Sequence, residues 1–219
     1  DLGNYWDTGD SSQPVNIDNA KKIITGNPEG ASINVNNGEL ISRVPYFYNQ
    51  ADINIKNNSK ATFENEVIIQ NPNFHINDST AVFNEKLEIF DGGGFWPVIE
   101  QDNDFSGGSL SLNNSTLDIK KEAVFYATDA LINHGSTAKI DNLVDIESKI
   151  YVVNDSKLEI NNYASFGSRT HLIVEDNSNT TINGTLDVDN SGLIVKDNSN
   201  IAINGRLDVS YSGTIEFVN

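Results

Sequence analysis

The chain has 219 residues, 37% of them hydrophobic, with a mean hydropathy of −0.37. Those values predict a folded, soluble chain with one core, and no run of about eighteen apolar residues exists to insert this segment into a membrane. Lys plus Arg number 14 against 31 Asp plus Glu, and the net charge of −17 repels phosphate backbones and excludes nucleic acid as a natural partner.

Cysteine is absent, which removes disulfides, thiolate metal sites and cysteine nucleophiles together. Methionine is absent as well, as suits a core of regular layers filled by stiff side chains. The chain opens at Asp1 without Met or a signal peptide, which predicts a processed or excised piece of a longer protein.

Residues 1–14 are irregular, and Tyr5 and Trp6 are expected to cap the end of the core. From residue 15 onward a repeat runs to residue 219. Its mark is a short Asn/Asp-Ser turn, with serines at Ser59, Ser79, Ser115, Ser136, Ser156, Ser178 and Ser199. The successive offsets are 20, 36, 21, 20, 22 and 21. Gly38 stands 21 residues before Ser59, and VNIDNA lies earlier again. About nine coils of about 21 residues result.

Each coil carries three pairs of alternating apolar residues. In order they include Ile53/Ile55, Ala61/Phe63 and Val67/Ile69; then Phe74/Ile76, Ala81/Phe83 and Leu87/Ile89. Later coils give Val144/Ile146 as a third pair and, further on, Leu172/Val174, Thr180/Ile182 and Leu186/Val188. Period-two alternation means short strands with one buried face. Three strands per coil, separated by Asn-rich turns, predict an all-β chain wound as a three-sided tube. Stacking at ~4.8 Å per coil gives a rod of roughly 45 Å. A β-sandwich also alternates, but it does not hold a three-strand motif at near-constant offset along a chain. The coil length and three sides favour a single right-handed solenoid.

The units INIKNNSKATFEN and IYVVNDSKLEINN resemble those of bacterial cell-surface parallel β-helix domains. Similar regions occur in pectate-lyase-like adhesive domains of Gram-positive serine-rich repeat adhesins and in autotransporter passenger domains. The resemblance implies an extracellular place on a bacterial surface, wall-anchored or secreted, and attachment to host or matrix glycans or glycoproteins. Repeats of this kind carry architecture rather than chemistry, so the function must come from what departs from them.

The largest departure is DGGGFWPVIEQDNDFSGG, 91–108, which accounts for the 36-residue offset. In a solenoid an insertion leaves at a corner and often builds the binding face. This one falls between the third strand of one coil and the first of the next. RVPYFYNQAD, 43–52, occupies the same corner two coils earlier, and Tyr126, Arg169 and His171 occupy it below. Tyr46, Tyr48, Phe95, Trp96, Tyr126 and Arg169 are therefore the candidate ligand-binding residues, because aromatic faces hold sugar rings without charge. Phe47 and Phe95 are equally suited to covering the tube. Glu100, Asp102 and Asp104 offer a candidate calcium site of alternating oxygens. The plainer reading of these acids is a solvated run, with no cofactor.

No catalytic residues are assigned. Asp187 and Asp208 lie 21 residues apart on an outward row that reads upstream Ser165, Asp145, Val124 and Glu88. A pair of carboxylates is what glycoside hydrolysis uses, but the row is broken, and Arg206 beside it reads as a surface ion partner. The three histidines are scattered over separate coils. Three readings follow. The first is a surface adhesin binding region; the second is a non-binding stalk; the third is a polysaccharide lyase or glycoside hydrolase. An acidic adhesin is expected to bind acidic glycans more strongly near about pH 4–5, where carboxylates protonate. Ile215 and Phe217 begin a further first strand at an uncapped end, which predicts more chain or a covering partner there.

Overall fold

The computed structural model describes residues 5–6, 14–25, 32–47, 52–70, 73–90 and 109–218. Among them there are strands and turns and no helix, and every strand pair is parallel. Ten strands, from Val15–Asp18 to Thr214–Val218, stack as one sheet, the first face of the tube. The second face runs from Lys21–Ile24 to Asn200–Ile203 and the third from Tyr46–Phe47 to Leu207–Ser210. Strands Thr116–Tyr126, Thr137–Ile146 and Lys157–Phe166 continue around the second corner, joining the second and third faces into a fifteen-stranded sheet. From Ile33 to Ser210 about eight turns have all three sides, with a partial turn at each end. Sequence periodicity counts those partial turns and so reaches nine.

The alternation maps directly onto the inside. Strands such as Asp52–Lys56 and Lys60–Phe63 bury alternate residues, and the paired apolar columns fill the tube. Successive turns repeat the same column in register, as Ala81 on Ala61 and Phe83 on Phe63. The rings of Phe63 and Phe83 stack at 4.3 Å with 2° between planes, and Phe74 meets both edge-on at 6.1 and 6.0 Å. Tyr5 and Trp6 pair with Ile23 and Ile24 at the N-terminal end of the second face.

The serine mark has a structural cause. At the first corner the serine hydroxyls form a ladder, accepting hydrogen bonds from the backbone N–H of the serine one turn earlier; it breaks once, where Ser136 N–H donates to the Asn133 carbonyl. Ser59 N–H donates to Ser79 Oγ (3.1 Å), Ser79 to Ser115 (3.1 Å) and Ser115 to Ser136 (3.0 Å). The ladder resumes from Ser156 to Ser178 (3.1 Å) and from Ser178 to Ser199 (3.0 Å). Gly38 N–H, one turn above, donates to Ser59 Oγ at 3.2 Å. A Cβ on Gly38 would lie 2.8 Å from the Ala20 carbonyl oxygen, so glycine is required at that close approach.

Just before the serines the chain turns through the left-handed region. Asn37, Asn57, Asp78, Asn114, His134, Asn154, Asn177 and Asn198 all have φ between 47° and 59°. Asn and Asp tolerate this conformation best among L-residues. Their amides also bond along the stack, as Asn37 Nδ2 to Asn19 Oδ1 at 2.6 Å and Asn114 Nδ2 to Asp78 Oδ1 at 2.7 Å. The third corner repeats the device with Ala127, Glu147, Arg169, Asn190 and Tyr211 at positive φ.

One turn departs from the alternation read in sequence. Val144 and Ile146 were expected inside, but Leu143 and Asp145 occupy the core columns. Leu143 pairs with Ala123 and Ala164, and Asp145 with Phe125 and Phe166. The turn from Ser136 to Ser156 is a residue short, at 20, and the deficit is taken at the second corner. Only Asp141 and Asn142 separate Ile140 from Leu143, where neighbouring turns have three residues. A shift of one residue exchanges the two sides of a strand. Asp145 is thereby fully buried, while its backbone carbonyl accepts from Gly167 N–H (2.8 Å) and Thr170 Oγ1 (3.2 Å).

Ser115→Ala leaves the buried Ser79 N–H without its acceptor and is expected to cost about 1–3 kcal/mol in urea denaturation.

Candidate functional site

The third face and its corner hold the sequence-predicted residues that the structure describes. Tyr46 ends the first complete turn and Tyr126 the fourth, three rungs below, or about 14 Å along the rod. Both are 39% exposed. They point outward in different columns: Tyr46 is in register with Ile68, and Tyr126 with Phe90. Arg169 is exposed at the corner two turns below Tyr126, held at φ 64° with its N–H on the Asn190 carbonyl (3.0 Å). Phe47 is fully buried and belongs to the core. Tyr48, Phe95, Trp96 and the candidate calcium ligands Glu100, Asp102 and Asp104 lie outside the described residues.

Around these tyrosines the third face carries apolar residues that sequence reasoning passed over. Ile68, Phe90, Val124 and Val144 are half-buried and outward. Ile68, Glu88, Val124 and Val144 succeed one another in one column, with Gln70, Phe90 and Tyr126 beside them. The signal was available: VIIQ, LEIF and AVFY place large apolar residues at positions that alternation reserves for polar ones. Among the described residues Glu88 is the acid in these columns. Lys86 Nζ lies 3.0 Å from its carboxylate and 3.8 Å from Glu122. The hydrogen bond to Glu88 raises the Lys86 pKa against the opposing effect of burial, so the ammonium persists and neutralises the acid. Further down, the same column becomes Ser165, Asp187 and Asp208. Asp145 is not part of it, because the short turn puts Val144 there. Arg206 Nε lies 2.7 Å from Asp208 Oδ1, the surface ion pair expected of it.

The first face shows the converse gradient. Its outward central column begins with an amide ladder, Asn54 Nδ2 to Asn34 Oδ1 at 3.1 Å and Asn34 Nδ2 to Asn16 Oδ1 at 3.0 Å. His75 and Ser111 follow, with Nδ1 and Oγ 2.6 Å apart. Then the column turns apolar through Leu131, Tyr151, Ile173 and Ile194, in register on four successive turns. Asp129, Lys149 and His171 flank it on one side, and Glu175 and Lys196 on the other. Asp129 Oδ1 accepts the Lys149 N–H at 2.9 Å, and Lys196 Nζ lies 2.5 Å from Glu175. Burial, then the Asp129 and Glu175 carboxylates, push the Tyr151 phenol above its ordinary value, against the pull of Lys196. The phenol therefore stays a hydrogen-bond donor at neutral pH. Here too the signal is a broken alternation, with ALI, IYVV, LIV and LIV where upstream strands read INVN and INIK.

Among the described residues no group of three or more His, Asp or Glu side chains could hold a metal ion. No protein-family model, curated protein or solved structure matches the chain.

Burial raises the Asp129 carboxyl pKa above 3.8, partly offset by the Lys149 N–H and ammonium. The unfolded chain loses this proton first, so the group subtracts stability as pH rises from the unfolded value through the folded one. Asp129→Asn keeps the oxygen acceptor and is expected to raise stability at pH 7 by about 1 kcal/mol or less, with the gain vanishing below about pH 3. Denaturant curves at the two pH values measure it.

Proposed function

We propose that the chain is the binding region of a bacterial surface adhesin that attaches cells to host or matrix glycans through the third face. The observation that carries this reading is the outward, in-register pair Phe90 and Tyr126 within an apolar patch that ends in Tyr46. Flat, partly exposed rings on a rigid sheet receive the C–H faces of sugar rings at little ordering cost. The neighbouring polar side chains Gln70, Glu88 and Lys86 supply acceptors and donors for hydroxyls at the edge of the patch. The parallel tube sets these side chains at fixed ~4.8 Å steps, so a chain-like ligand meets a repeated surface rather than a single pocket. The resemblance of the repeat units to bacterial surface β-helix domains supports the same class of role.

Tyr126→Ala and Phe90→Ala are each expected to weaken glycan binding by about tenfold in a glycan-array and titration screen, since each removes one ring contact. A stalk would show no specific binding before or after substitution. Release of shortened or unsaturated products from polysaccharides would instead place the protein among the lyases or hydrolases.

A further inference from the structure

The geometry points to a second ligand surface: we propose that the ribbon Leu131, Tyr151, Ile173 and Ile194 on the first face binds a neutral, hydroxyl-rich oligosaccharide lying along the rod. The inference extends the glycan-binding reading to a different face and does not use the third-face residues.

Three features select the occupant. The first is size. Four rungs of ~4.8 Å across a five-residue strand cover about 300 Å². A stable protein partner needs about 800 Å² from each side, so a second copy or a folded protein is poorly served by this ribbon. The second is shape. The ribbon lies on a sheet face whose strands are hydrogen-bonded on both edges, so an extended peptide finds no free edge to pair with. A narrow chain of flat rings, apolar on its faces and polar along its edges, matches an apolar strip bordered by polar side chains.

The third feature is charge. The protein carries −17 overall, yet along the two sides of the ribbon the formal charges cancel, Asp129 and Glu175 against Lys149 and Lys196, and one further acid, Glu216, closes its lower end in register with Ile194. The border offers carboxylates as acceptors and ammonium groups as donors at once, which serves hydroxyls and gives no net attraction to a polyanion. His171 is oriented as well. Its Nδ1 lies 3.2 Å from the Arg169 carbonyl oxygen, and its ring stands over Gly192, where a Cβ would come within 2.9 Å of Cδ2. The other ring nitrogen, Nε2, is thus an additional polar group at the ribbon's border. Tyr151, the aromatic member of the column, is the ring on which a sugar face stacks.

The test is a backbone-amide NMR titration of the whole chain with cellohexaose, laminarihexaose and mannohexaose, and with a hexamer of galacturonic acid as the anionic counterpart. At least one neutral oligomer should produce saturable shifts centred on residues 131, 151, 173 and 194, and the anionic hexamer should bind more weakly. Tyr151→Ala should weaken the neutral oligomer by roughly tenfold, and Tyr151→Phe, which keeps the ring, by much less. Retained amide dispersion in Tyr151→Ala establishes that the variant is folded. Shifts confined to the third face would overturn this proposal and leave the third-face reading standing. Tighter binding of the galacturonic acid hexamer on the first face would overturn the neutral assignment. An absence of response to every neutral oligomer would overturn the proposal outright.

Discussion

The hydroxyl ladder at the first corner is the constraint on which the rest of the molecule depends. A tube of parallel strands must turn three times per coil, and every turn takes backbone groups away from the sheet ladder. A buried N–H left without an acceptor costs about as much as several apolar contacts gain. The structure meets this at the first corner with one small side chain per coil. Five of these serines accept the N–H of the serine above, so the corner is satisfied there by the neighbouring coil, and Ser136 N–H turns back to its own coil, to the Asn133 carbonyl. Stability therefore belongs to pairs of coils, as in other solenoids. A left-handed residue stands just ahead of each of these serines, Asn or Asp in most coils and His134 with Gly135 ahead of Ser136.

Fixing the corners and the inner columns leaves the outward columns free, and the sequence uses them unevenly. On the first face amides give way to an apolar ribbon toward the C-terminal half. On the third face an apolar and aromatic patch gives way to acids in the same direction. Stacked polar side chains can satisfy one another along the rod, as the Asn16, Asn34 and Asn54 amides do. Stacked apolar side chains cover one another only partly, because each presents its outer edge to water. The apolar outward columns are thus where the solenoid leaves surface that another molecule can cover.

The fold was legible in the sequence because its two governing signals are local and repeated. Alternation marks the inner columns, and the Asn-Ser turn marks the corner at a near-constant offset. The error at Val144 arose where the coil is one residue short. Alternation by itself does not say at which corner a deficit is absorbed, and a shift of one residue exchanges inside for outside. Phe47 could not be separated from Tyr46 by composition, yet the strand puts adjacent residues on opposite sides, so one is core and the other surface. The insertion at 91–108 shows in the sequence as a break in the repeat, and it lies outside the described residues. The ribbon of Leu131, Tyr151, Ile173 and Ile194 was harder to see, since a buried strand and a strand with an apolar outer face read alike as short apolar runs.

The strong negative charge bears on function less than its total suggests. At physiological ionic strength exposed charges are screened within about 8 Å. Asp187 and Asp189 lie three turns below Tyr126, about 14 Å away along the rod. They lie beyond that range from the Phe90 and Tyr126 pair, beside which Glu88 is held by Lys86. At the first-face ribbon two lysines offset two acids. Both apolar surfaces therefore have acids that are held by neighbouring lysines, Glu88 by Lys86 and Glu175 by Lys196. The surplus of carboxylates keeps copies of the rod apart and lowers non-specific contact with anionic surfaces, while the two apolar surfaces remain able to close on a ligand through contact rather than through long-range attraction.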